Sequence, residues 1–184
     1  WELNAGLRFE KTQWATNGNT VLTDEDGEYL ATESVSGESS YKRWFPSVSL
    51  DYELNDGVRV KAAWFKTLAR PDYFDLVPFR RIYTNFQFIW EGNPDIQPTQ
   101  FDNLVLGVHV ESEIVGELNV AAYFKRLETF FYETDELIEG GPFDGWERRR
   151  QQNGNSASVR GFEFGWKRKL ESAPARVGSL TVSV

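Results

Sequence analysis

The feature that most constrains this chain is a two-residue alternation of apolar and polar side chains that recurs along most of its length. Successive side chains of an extended strand point to opposite faces, so such alternation marks a sheet with one apolar and one polar side. In the first segment Leu3, Ala5, Leu7 and Phe9 alternate with Glu2, Asn4, Arg8 and Glu10. In the second, from Pro46 to Leu54, Val48, Leu50, Tyr52 and Leu54 oppose Ser47, Ser49, Asp51 and Glu53. Asn55-Asp56-Gly57 then supplies hairpin chemistry, and Val58, Val60, Ala62 and Trp64 carry the pattern through a third segment. Leu104, Leu106, Val108 and Val110 mark a fourth; Leu118, Val120, Ala122 and Phe124 a fifth. Phe162, Phe164 and Trp166 mark a sixth, and Leu180, Val182 and Val184 a seventh. No amphipathic helix of useful length is visible.

The connections are unequal in an ordered way. Short ones are expected near 55–57, 113–116 and 171–175, and long ones near 13–44, 71–100 and 132–155. Short and long alternate, so an up-and-down meander collects all tight turns at one end of the sheet and all long loops at the other. Loops of this length are uncommon in compact domains unless they serve a function. The segments run to roughly 9–14 residues, matching the roughly 9–11 tilted residues that cross a bilayer, whereas strands in soluble sheets average about 5–6. Aromatic residues fall near segment ends: Trp14, Trp44, Phe45, Trp64, Phe65, Phe130, Phe131, Tyr132 and Trp166. Rings there fit an interfacial girdle. These patterns predict an all-β fold, an antiparallel up-and-down transmembrane β-barrel segment contributing about seven strands to a larger barrel.

Composition excludes several function classes. A net charge of −8 argues against nucleic acid as a partner. With no cysteine and His109 as the single histidine, neither a thiolate or His-rich metal site nor a nucleophile–base pair is expected. The chain is therefore expected to be no enzyme, with no catalytic, metal or cofactor-binding residues. A mean hydropathy of −0.50 does not exclude a membrane barrel, whose alternating strands average to a weak signal. With no methionine and with both ends inside alternating segments, the 184 residues are expected to be an internal fragment.

Three ordered stretches carry a family resemblance. They are Lys66-Thr67-Leu68-Ala69-Arg70-Pro71-Asp72-Tyr73-Phe74-Asp75-Leu76, then Glu91-Gly92-Asn93-Pro94-Asp95-Ile96-Gln97-Pro98-Thr99, then Tyr123-Phe124-Lys125. With Gly161-Phe162-Glu163 and Gly6–Thr12, they resemble the C-terminal barrel half of TonB-dependent outer-membrane receptors over nearly the whole chain. The resemblance implies a bacterial outer-membrane location and a partial barrel domain over 1–184, with the plug domain and final strands outside it. It also implies TonB-dependent active uptake of a scarce nutrient: a ferric siderophore, cobalamin or an oligosaccharide. The implied partners are outer-membrane lipid and lipopolysaccharide, the TonB complex through the plug region, and the small-molecule or oligosaccharide substrate. The resemblance assigns no ligand-binding residue here.

Candidate residues come from the long connections. Arg148-Arg149-Arg150, beside Trp146, and Arg80 and Arg81, near Tyr83 and Trp90, pair cations with aromatic rings, which suits an anionic or sugar ligand. The same arginines could instead pair with acidic loops or lipopolysaccharide phosphates. Thr23–Glu28 has some features of a calcium loop but lacks the spacing of one, so a solvated acidic turn is expected. Glu133, Asp135 and Glu136 have no flanking apolar pocket to raise a pKa, so acid–base catalysis is not expected of them. His109 falls on the polar face and is expected to hydrogen-bond there. The rival reading is a soluble β-sandwich carbohydrate-binding module, which predicts shorter strands and an apolar face covered by a second sheet.

Overall fold

A computed structural model of the chain describes residues 1–24, 26, 28–170 and 180–183. Its main element is a seven-stranded antiparallel sheet. The strands are β1 (Glu2–Thr23), β2 (Tyr29–Asn55), β3 (Val58–Ala69), β6 (Thr99–Ser112), β7 (Gly116–Glu128), β10 (Ser156–Leu170) and β11 (Leu180–Ser183). They lie in the order β1-β2-β3-β6-β7-β10-β11, so strands successive in this set are neighbours. This is the expected meander. Among the described residues it stays open: β1 and β11 each pair on one side only.

The registry explains why the two faces differ. One row runs Leu3–Leu50–Ala62–Leu106–Ala122–Phe162 and the next Tyr52–Val60–Val108–Val120–Phe164. Apolar side chains therefore stack against apolar side chains across six strands, each pair supplying about 0.2–1 kcal/mol. These rows meet no second layer: Leu106 is 53% exposed and Phe162 79%. A sandwich would cover that face, so the open apolar side contradicts the soluble-module reading. The opposite face is polar and internally paired. Lys61 bridges Asp51 at 3.2 Å and Lys167 bridges Glu117 at 3.1 Å. His109 hydrogen-bonds Asn119 at 2.7 Å on this face, the role expected of it.

Two tight turns, Asn55–Val58 and Ser112–Gly116, cap one end. Gly57, at φ +101°, sits where a Cβ would strike the carbonyl of Glu111, so the turn requires glycine. The turn expected near 171–175 lies outside the described residues.

The other end departs from expectation. The span 13–44 is no irregular loop: β1 and β2 continue as a paired ribbon of 22 and 27 residues, in register from Glu2↔Asp51 to Leu22↔Ala31, with a shift before Thr23↔Tyr29. The alternation weakens there because Gln13, Ala15, Asn17 and Asn19 oppose Ser40, Glu38, Ser36 and Ser34, so polar residues occupy the face that is apolar below. The spans 71–100 and 132–155 contain four further strands, β4 (Arg80–Tyr83), β5 (Phe88–Glu91), β8 (Phe131–Leu137) and β9 (Glu147–Asn153), with a one-turn 3₁₀ helix at Thr84–Phe86. These form a second sheet in the order β4-β5-β9-β8, in which β5 and β9 run parallel. Strands this short, in arginine- and glutamate-rich sequence, carry too little alternation to be read. In the fifth segment the strand ends at Glu128, and Phe131 opens β8.

Most of the dry core belongs to this cap; Tyr41 and Phe45 of β2 are the buried hydrophobic residues of the large sheet among those described. Leu76, Phe79, Ile89, Ile96 and Phe143 are buried, and Ile89, Ile96 and Pro98 are the largest side chains that are fully enclosed.

Candidate functional site

The two long stretches that carried the resemblance turn out to be the joints of the cap. At the end of β3, Arg70 donates from Nε to the Tyr41 hydroxyl at 2.9 Å and pairs with Glu10, which also accepts from Tyr41 at 3.0 Å. Pro71 is buried behind this cluster, and Leu76 is 3% exposed. The 91–99 stretch ties two connections together. The Asn93 amide nitrogen donates to the Gln151 carbonyl at 2.9 Å, and the Gln97 N–H donates to Asn153 Oδ1 at 2.8 Å. Asn153 Nδ2 donates in return to the carbonyls of Gln97 and Thr129, at 2.9 and 2.8 Å. Gly92 lies so close to the Val77 carbonyl that no Cβ would fit.

So braced, the four-stranded sheet presents two unlike faces. Ile82, Ile89, Arg148 and Glu136 form one row, with Arg80 and Glu91 beside it. This side is closed: Ile89 is 1% exposed, Arg80 pairs with Glu91 at 2.6 Å, and Arg148 pairs with Glu136 at 2.8 Å. On the other side Arg81, Trp90, Arg149 and Asp135 form a single row across all four strands, flanked by Tyr83 and Phe88. Arg81, Tyr83 and Asp135 are exposed. The Arg81 guanidinium lies over Phe74 at 5.3 Å and over Phe79 at 5.6 Å, while Trp90 meets both rings edge-on at 5.6 and 5.7 Å. Arg149 grips Asp135 with two bonds of 2.6 and 3.0 Å, approaches Glu133 at 3.3 Å, and covers Phe88 at 5.1 Å.

The structure thus divides the sequence-derived candidates. Arg81, Tyr83 and Trp90 share the solvent face. Arg80 and Arg148 lie on the opposite face, already neutralised, and Trp146 sits in the β8–β9 turn against Phe143 at 5.0 Å. Arg149, part of the arginine run beside Trp146, joins Arg81, Tyr83 and Trp90 on the solvent face, and its tie to Asp135 follows only from the β8–β9 register. Sequence reasoning missed Phe74, Phe79 and Phe88, which carry no distinguishing local signal.

The electrostatics fit binding rather than acid–base chemistry. The bond from Arg149 holds the Asp135 carboxyl below its usual range, and those from Arg148 and then Gln152 do so for Glu136. Both remain ionised. Asp75 moves the other way, raised first by burial and then by the charges of Asp72 and Glu133. At the ribbon tip, the Asp24 carboxylate accepts the N–H groups of Asp26 and Glu28 at 3.0 and 2.8 Å, as a self-contained turn does. Glu25 and Gly27 of that turn lie outside the described residues. Among the described residues no group of three acidic, His or Cys side chains is placed to hold a metal.

Residues 1–173 match the model of the outer membrane protein beta-barrel family. No curated protein matches the sequence. Among solved structures the chain is similar to a double mutant of the Serratia marcescens hemophore receptor HasR in complex with its hemophore HasA and heme. That likeness has TM-score 0.65 at 12% identity and covers 90% of this chain and 29% of that one. It is similar to the siderophore receptor PirA from Pseudomonas aeruginosa, with TM-score 0.60 at 13% identity, covering 96% of this chain and 34% of that one. It is also similar to a mutant of the ferric enterobactin receptor PfeA from the same organism, with TM-score 0.57 at 16% identity, covering 78% and 22%. The chain therefore spans about a third or less of the length of these structures.

Proposed function

We propose a function from the premise that the match establishes: this chain belongs to the outer membrane protein β-barrel family and resides in the bacterial outer membrane. It forms part of a receptor for TonB-dependent active uptake of a scarce nutrient. As to domains, residues 1–184 are part of its barrel, and the plug and remaining strands lie elsewhere in the protein. The observation that carries this reading is the division of the molecule. An apolar, uncovered sheet face suited to lipid is joined at its long-connection end to a braced cap with an exposed arginine–aromatic row. The solved structures that share the fold are receptors for siderophores and for a heme-carrying hemophore, which supports nutrient capture at that cap.

In this reading the sheet's outward side meets membrane lipid and lipopolysaccharide, and the plug couples the barrel to the TonB complex. Arg81, Tyr83 and Trp90 face the incoming substrate, and no residue carries out a covalent step. The test is growth of the parent bacterium with the gene deleted, on limiting iron, cobalamin or oligosaccharide, with and without a functional TonB complex. Loss of growth on one nutrient, reproduced by disabling TonB, is the expected result. Unchanged uptake of all three would overturn the proposal.

A further inference from the structure

The cap contains several arginines, but in the structure they are not equivalent. Arg80, Arg148 and Arg149 each hold a carboxylate within 2.6–2.8 Å, so their charge is matched inside the protein. Arg150 is half-buried on the closed face of the sheet. Arg81 is the exception on the solvent face. Among the described residues it has no carboxylate partner, and its guanidinium carbon lies 5.3 Å from the Phe74 ring centre and 5.6 Å from that of Phe79. A guanidinium held against rings without a carboxylate partner keeps N–H donors available, and those donors can grip an oxyanion in a forked pair. The ring contacts also restrict the side chain in advance, which lowers the entropy lost on binding.

The rest of the row extends the same surface. Next to Arg81 lies the Trp90 indole, and beyond it Arg149, which is shared by Asp135 and Glu133 and backed by Phe88. Three inter-strand gaps separate Arg81 from Asp135, so the row measures roughly 14 Å at about 4.8 Å per gap. One end is cationic, the middle is flat, and the far end carries the exposed carboxylates of Asp135 and Glu133. A neutral ligand recognised through hydroxyl groups would leave Arg81 unmatched.

We propose that this row is a binding surface for a flat-ringed anion, with the ring over Trp90 and its oxyanion on the free edge of Arg81. The assignment deepens the receptor reading given above and rests on it. It selects anionic, ring-bearing substrates over neutral oligosaccharides, and it selects Arg81 over the other cap arginines.

The experiment uses the full-length receptor in detergent and three probes: salicylate, its neutral analogue salicylamide, and maltohexaose. Affinity is read by ligand-observed NMR. Salicylate should bind about tenfold or more tightly than salicylamide, the scale of one charge-assisted bond, with no measurable maltohexaose binding. Arg81→Gln should bring salicylate down to the salicylamide level, and Trp90→Leu should weaken both. Arg80→Gln should leave the preference intact. Arg81 is exposed, so loss of binding through misfolding is unexpected, and β-sheet circular dichroism checks this. Equal binding of salicylate and salicylamide, indifference to Arg81→Gln, or preferred binding of maltohexaose would each overturn the proposal. Because binding to the isolated receptor needs no energised uptake, failure here with nutrient uptake intact sinks only this assignment. Failure of the growth test sinks the receptor reading itself.

Discussion

The seven-stranded sheet and the cap are both β structure, yet they are held together in opposite ways. In the large sheet the apolar rows face outward and remain exposed, so their stabilisation depends on the medium around them. In the cap the apolar side chains face inward, with Ile89 and Ile96 essentially inaccessible and arginine–carboxylate pairs between them and solvent. The first region needs lipid; the second is organised as a small soluble domain is. The difference teaches that alternation is readable where one face is uniform over many residues, and unreadable where strands are short and both faces carry charge.

The two regions should respond separately to a substitution in the cap core. Ile96→Ala should cost about 2–5 kcal/mol, the range for deleting a buried branched side chain. The loss should appear as faster hydrogen exchange throughout β4, β5, β8 and β9, with β3, β6 and β7 unchanged. Exchange rising equally in both regions would show that they are one cooperative unit.

A second substitution probes the sheet. Leu106→Arg should reduce folding into lipid by about 2–4 kcal/mol. Glu163→Arg, on an exposed site of the opposite face, should stay within about 0.5 kcal/mol. Equal losses at the two positions in a lipid-folding titration would dissolve the distinction between faces. Asn103 also lies on the inner face, but it cannot serve as the mild control that its polar strand position suggests. It is 4% exposed and donates to the Phe65 carbonyl and the Thr67 hydroxyl, each at 3.1 Å.

A third change loosens the brace between the two connections. Asn153→Ala leaves the Gln97 N–H and two carbonyls without their partner, costing about 1–3 kcal/mol. The exchange protection of β9 should fall, while that of β1 and β2 persists.

The smallest expected effect is on pH. The ordinary values are 3.8 for Asp135 and 4.5 for Glu136, and both lie lower in the folded cap. Their stabilisation is therefore complete above those values and lost as pH falls through the depressed ones. Asp75 has the reverse sign: raised above its ordinary 3.8, it opposes folding at neutral pH and ceases to do so as it protonates. Asp75→Asn should thus slightly increase cap protection at pH 7 and have no effect at pH 3. A decrease at pH 7 would show that the ionised carboxylate is favourable in the fold.

Much of the large sheet was legible because its signal is repeated: Leu50, Ala62, Leu106 and Ala122 occupy one row and carry one physical preference. The polar role of His109 was legible for the same reason. The ribbon beyond Phe9 was not, because Asn17, Asn19, Ser34 and Ser36 form a pair of strands by continuing a register set below them, not by their own preference. The candidate site was half legible. Arginine beside tryptophan marks Arg81 and Trp90 as a pair, but Arg80 is one residue away with the same composition around it. Only the pairing of β4 with β5 puts one on the open face and the other against Glu91.

The parallel pairing of β5 with β9 carries a consequence for the order in which the chain assembles. β5 must find its partner across the span from residue 88 to residue 147, and the intervening chain makes two passes of the large sheet, β6 and β7, before it returns. A contact this distant in sequence is slow to close unless something shortens the search. The β6–β7 hairpin does so: it returns Glu128 opposite Gln100 and brings the two cap segments to one place. The cap is therefore expected to form after the sheet has zippered. In pulse-labelled refolding, β9 amides should gain protection after those of β6 and β7, and protection of β9 first would reverse that order.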